Sequence, residues 1–155
     1  MDIILLEKET YGMQYDDNYY ITRVAFIKQE MSRIFGETIV LENEKNNFKQ
    51  RGYFQLNYKY SKNNCNYTIS IENEIRLFNI FISDREEAKI SLFRIHNHNN
   101  NLDDLKNITH SLNLLFNVLE ENNFTLYFSK DGKYYKKTPQ GVFRVKNMIE
   151  ELYGK

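Results

Sequence analysis

Between Tyr20 and Ile34 the apolar residues recur at three- and four-residue intervals, through Val24, Ile27 and Met31, which predicts an amphipathic helix over about 17–35. Asp16 and Asp17 stand where an N-cap is needed, and Gly36 where the chain must leave the helix. Thr38 to Leu41 then reads as a short strand, and Asn43 to Arg51 as helix or loop. From Gly52 the period changes to two. Phe54, Leu56, Tyr58 and Tyr60 alternate with polar residues, and so do Tyr67, Ile69 and Ile71 beyond the Asn-rich run around Cys65, which predicts a hairpin. Ile75 to Ile82 and Ile90 to Ile95 follow as two strands apolar enough on both faces for the middle of a sheet, joined by a turn at Asp84 to Glu87.

Helical spacing returns from Leu102 to Asn122, with Leu105, Ile108, Leu112, Leu115 and Leu119 on one stripe and Asp103 and Asp104 near its positive end. Phe124 to Phe128 and Tyr134 to Lys136 flank Asp131-Gly132, a dipeptide suited to a two-residue type I′ turn, so Phe128 should face Tyr135. Thr138-Pro139 reads as the start of a third helix that carries Val142, Val145, Ile149 and Leu152 and runs to Gly154. Strands grouped between helices, without βαβ alternation, give an α+β class. The expectation is one domain over 1–155: an antiparallel meander of about four to six strands plus a hairpin in the C-terminal half, with three helices packed mainly on one face.

Composition narrows the function. Twenty-one basic and 21 acidic residues cancel, which removes the long-range field expected of a non-specific nucleic-acid binder or of an acidic mimic. With 41% hydrophobic residues, among them 12 Tyr and 11 Phe, the chain can build a core without a metal or disulfide. A lone cysteine, Cys65, fits a reducing compartment. Met1 to Lys8 holds only four consecutive apolar residues and an early acid, too little for a signal or a membrane span, so a cytoplasmic location is expected and the Asn-x-Thr triplets at Asn66, Asn107 and Asn123 read as chance matches. The abundance of Asn, Lys, Ile and Tyr, all with A/T-rich codons, points to an A/T-rich microbial, plasmid or phage genome.

Few residues suggest chemistry. The six glycines form no phosphate-binding loop, which argues against a P-loop or dinucleotide turn and leaves no cofactor to expect. No Gly-x-Ser-x-Gly elbow is present, and no His lies within thirty residues of Cys65. His96 and His98 could point to one side of an extended segment, and His110 or Asp103 could add a third zinc ligand; the competing reading is a solvated Asn-rich loop and helix surface, and it is preferred. Paired carboxylates such as Asp16-Asp17 and Glu150-Glu151 are accounted for as helix ends or solvated faces.

Two local features remain. Lys130, Lys133, Lys136 and Lys137, interleaved with Tyr134 and Tyr135, could hold single-stranded nucleic acid by phosphate contact and stacking, although lysines also guard edge strands against aggregation. Tyr11, Tyr15, Tyr19 and Tyr20 beside Asp16 and Asp17 form the segment most like a protein interface, of which Tyr11, Tyr15, Asp16, Asp17 and Tyr19 are the candidate partner-binding residues. The balance favours a non-enzymatic protein-binding module, a small inhibitor such as a toxin-neutralising immunity protein or a phage anti-defence protein. A nucleic-acid accessory protein using 130–137, and an enzyme or metal protein using His96, His98 and His110, are the alternatives.

Overall fold

The computed structural model describes residues 16–74, 77–84, 89–96 and 105–154. Helix α1 spans Asp17–Phe35. The Asp16 carboxylate accepts from the Tyr19 amide at 3.0 Å, satisfying one of the donors a helix start leaves orphaned, and the helix stops at Gly36 with φ 60°. Its buried stripe is Tyr20, Val24, Ile27, Met31 and Phe35. A single 3-10 turn, Gly36–Thr38, leads into the sheet.

Five strands follow: β1 Ile39–Asn47, β2 Tyr53–Lys62, β3 Cys65–Glu74, β4 Leu77–Ser83 and β5 Lys89–His96. After helix α2, Leu105–Glu121, come β6 Leu126–Lys130, β7 Lys133–Thr138 and β8 Gly141–Val145, and helix α3, Met148–Tyr153, ends the described chain. Every strand is antiparallel to its sequence neighbours, in the order β1 to β8. This is the α+β meander that the periodicity predicts. The β2–β3 turn places Asn63 and Asn64 at φ 51° and 67°, and the β6–β7 turn places Asp131 and Gly132 at 53° and 75°. Both are two-residue turns with positive φ at each centre, whose twist matches that of the strands they join.

Alternation decides which side of the sheet is covered. Cross-strand rows Leu56–Ile71–Ile80 and Tyr58–Ile69–Ile82 project to one face, together with Phe54 and Phe78, and all are buried. The two long helices close that face, α2 contributing Ile108, Leu112, Leu115 and Leu119 to the same core. Between the helices the Phe35 and Phe116 rings meet edge to face at 5.4 Å, and the buried Glu30 carboxylate accepts from Arg33 at 2.8 and 2.9 Å and from Thr109 Oγ1 at 2.9 Å. The Arg33 hydrogen bonds hold Glu30 below the usual carboxylate range against the opposing effect of burial.

A register shift between Leu41 and Asn43 reverses the parity of β1. Glu44 therefore sits opposite Leu56 on the helix side, where it accepts from Lys28 of α1. The neighbouring Tyr58 hydroxyl is buried with no hydrogen-bond partner, and burial, aided by Glu44, pushes its pKa up to about 12. Because the folded value exceeds the ordinary 10, this group's contribution to stability is intact below pH 10 and is lost as pH rises from there through about 12. Replacing Tyr58 by Phe removes an unpaired buried hydroxyl at almost constant shape. Urea titration should find the variant at least as stable as the parent at pH 7, by about 0–2 kcal/mol, with a smaller loss of stability between pH 10 and 12.

The last three strands depart from the predicted pattern in one respect. The stretch assigned from Thr138 to a third helix is instead a hairpin turn and strand β8, and only Met148–Tyr153 is helical. Pro139 occupies a turn closed by the Thr138–Gly141 pair, with the Gln140 amide donating to Thr138 Oγ1 at 3.1 Å. Proline fixes the same φ at the second position of a turn as at the first position of a helix, so the two starts look alike in sequence. The Asn43–Arg51 stretch likewise begins as strand, β1 running to Asn47 before the turn. Leu126, Phe128 and Phe124 join the core under the long helices. Tyr127 and Lys136 project the opposite way, and there Glu151 of α3 accepts from the Tyr127 hydroxyl at 3.2 Å and from Lys136 Nζ at 3.1 Å.

Candidate binding face of the sheet

The side of β1 to β4 turned away from α1 and α2 carries the polar half of the alternation. These residues are mostly short amides and hydroxyls rather than long charged chains. On β2 and β3 they bond to one another. Ser70 Oγ donates to Asn57 Oδ1 at 2.6 Å, Asn57 Nδ2 donates to Asn43 Oδ1 at 2.7 Å and to Gln55 Oε1 at 3.3 Å, and Gln55 Nε2 donates to Glu72 Oε2 at 3.2 Å. One connected network thus crosses three strands, which fixes rotamers that would otherwise be free on an open sheet.

Above this network lies a concavity of about 670 Å³ floored by Gln55, Ser70 and Glu72 and bordered by Thr68, Ser83 and Asp84, with Phe81 as its one aromatic lining residue. Phe81 belongs to β4, opposite Ser70, and is half-buried. Asn79, opposite Glu72, is buried, and its Oδ1 has no hydrogen-bond donor. A smaller hollow of about 180 Å³ continues the same face past Thr68 and Asp84 toward Glu42, Lys59 and Asn66. Asp84 is positioned by Lys137 of β7, whose Nζ donates to Asp84 Oδ2 at 2.6 Å, so the second strand group anchors one end of the trough. The result is a pre-arranged set of donors and acceptors around a planar apolar surface. Such a surface suits recognition of a shaped polar partner with one apolar contact at its centre.

Where they are described, the residues singled out from sequence fall on different elements. Tyr11, Tyr15, His98 and Asp103 lie outside the described residues, and His96 is described only as the last backbone position of β5. Asp16 is engaged as the α1 cap and Asp17 is exposed in the first turn. Tyr19 packs edge to face on Tyr20 at 5.1 Å and lies under the Arg23 guanidinium at 3.9 Å, which accounts for it within the helix. His110 is exposed on α2 beside a shallow groove with Phe26, Leu105 and Thr109. Among the described residues no three His, Cys, Asp or Glu side chains converge as metal ligands.

In the basic hairpin, Lys136 is paired with Glu151 and Lys137 with Asp84, and Tyr135 stacks on Phe128 with ring centroids 5.2 Å apart. Lys130, Lys133 and Tyr134 are exposed. Sequence reasoning missed the polar face itself. The signal was present in Gln55-x-Asn57 and Thr68-x-Ser70-x-Glu72, where residues that normally face solvent are short hydrogen-bonding ones, with Phe81 at the polar parity of its strand. No helix among the described residues is long and apolar enough to cross a membrane. No protein-family model, curated protein or solved structure matches the chain.

Proposed function

We propose that the protein is a non-enzymatic protein-binding module, an inhibitor of the kind that neutralises a bacterial toxin or blocks a host defence protein, and that it holds its partner on the open polar face of the sheet. The observation that carries this reading is the Ser70–Asn57–Gln55–Glu72 network beside Phe81, a rigid polar surface around one aromatic anchor. Rigid side chains lose little entropy when a partner lands on them, which is the usual basis of a strong interface of modest area. The chain's zero net charge fits a partner selected by shape and hydrogen bonding rather than drawn in by a long-range field.

The test is affinity capture from the native host, with the parent protein beside Thr68→Arg and Phe81→Ala variants whose fold is verified by circular dichroism. A stoichiometric protein should be recovered with the parent, and its affinity should fall at least about tenfold with each variant. A partner retained equally by both variants would remove the proposed face. Recovery of RNA or DNA that is lost on changing Lys130 and Lys133 would replace the reading with the nucleic-acid alternative.

A further inference from the structure

Among the described residues the eight-stranded sheet ends at β1 on one side and β8 on the other, and the two edges are built differently. The outer part of β1 is bulged at Leu41/Asn43 and exposed from Glu42 to Asn47, with Glu42, Glu44 and Lys45 along it. Bulges and charges of this kind stop a sheet from adding strands. β8 has no bulge and a single charge, the exposed Arg144, among its five residues. Its register with β7 runs unbroken from Thr138–Gly141 to Tyr134–Val145, and its sequence, Gly-Val-Phe-Arg-Val, exposes Val142 by 54% and Phe143 by 47%.

Two residues after β8 the chain enters α3, which is held on the sheet through Glu151 to Tyr127 and Lys136. Phe143 pairs with Lys136 and so projects to the same side as this helix. The helix turns Ile149, Leu152 and Tyr153 outward, 74%, 49% and 78% exposed, at positions i, i+3 and i+4 of one face. Among the described residues, an unbulged strand edge and an exposed apolar helix face therefore adjoin each other.

We propose that this surface is completed by a second copy of the same chain, added antiparallel across β8 about a two-fold axis at Phe143. The pairing is self-complementary. Val142 then faces Arg144 of the other copy and Phe143 faces its own equivalent, so no like charges meet along the strand, and the helix faces of the two copies close over the joint on the Phe143 side. The chain's zero net charge sets no long-range repulsion against self-association. The dimer leaves the concave face of β2 to β4 open, so it is independent of the partner reading above.

Sedimentation velocity of the full chain under reducing conditions, over a range of micromolar concentrations, tests this. The parent should sediment as a concentration-dependent dimer. Phe143→Glu, which sets two like charges opposite each other at the axis, and the double change Ile149→Glu and Tyr153→Glu should each weaken the dimer at least about thirtyfold, with an unchanged circular dichroism spectrum. Arg144→Gln, facing Val142, should leave it intact. A parent that stays monomeric throughout, or a dimer indifferent to Phe143→Glu, overturns the proposal. A monomer whose capture of a different protein is abolished by Phe143→Glu overturns it too and gives the edge to that partner.

Discussion

A Gly52→Ala variant should melt roughly 10 °C below the parent. Gly52 lies in the left-handed region at φ +68°, between β1 and β2, and a Cβ built on it would sit 2.4 Å from Cζ and 2.5 Å from the hydroxyl oxygen of Tyr20. Neither side can yield. The Gly52 amide donates to the Phe48 carbonyl at 2.9 Å and its own carbonyl accepts from the side-chain Nδ2 of the buried Asn73 at 3.0 Å, which pins the backbone. The Tyr20 ring is 2% exposed, stacked on Phe48 at 5.6 Å and held edge-on by Tyr19. Left-handed strain of about 1–2 kcal/mol then adds to overpacking of about 1–3 kcal/mol. Gly132→Ala is the control, because Gly132 has nearly the same φ, +75°, but open space where the Cβ would go. It should lose only the backbone portion. Equal melting temperatures for the two variants would show that the Tyr20 contact relaxes freely.

Phe78→Ala should cost about 3–5 kcal/mol in urea titration, a large share of the stability of a typical domain. Phe78 is fully buried on β4, paired with Asn73 of β3 and Ile95 of β5, so the sheet holds the strand on both sides and the void cannot collapse by moving it. Ile21→Ala on α1, where the side chain is 52% exposed, should stay within about 0.5 kcal/mol. A Phe78→Ala loss below 1 kcal/mol would mean that the core on the helix side is loosely packed.

What could be read from the sequence followed from how locally each element is determined. Helix α1 was legible because Asp16, the apolar stripe and Gly36 agree, and the β6–β7 hairpin because Asp131-Gly132 leaves one favourable turn, which brought Phe128 opposite Tyr135 as expected. The C-terminal helix was overextended because Thr138-Pro139 satisfies two local rules at once, and the choice between them is made by the pairing of β8 with β7, which no short window contains. The Asn43–Arg51 stretch was ambiguous for a related reason. A bulge reverses its parity after Leu41, so its polar residues never alternate cleanly. The candidate site was hardly legible. The tyrosines near the N-terminus read as an interface because they are adjacent in the chain, and of these Tyr19 and Tyr20 pack on each other and Tyr20 on Phe48; the concave face is assembled from residues of β2, β3 and β4 that become neighbours only through strand register.

The strictly sequential strand order has a kinetic consequence. Each hairpin joins segments adjacent in the chain, the β2–β3 and β6–β7 pairs across only two residues, so closing them costs little loop entropy and they can form early. The long-range step is the meeting of the two helices, where Glu30 and Thr109 are separated by 79 positions. Loop entropy therefore predicts that the slow step of folding is the docking of α2 beside α1, after much of the sheet has paired. Changes at Glu30, Phe35 or Phe116 should accordingly slow folding and changes at the hairpin tips should mainly speed unfolding, which stopped-flow chevrons of the variants would check.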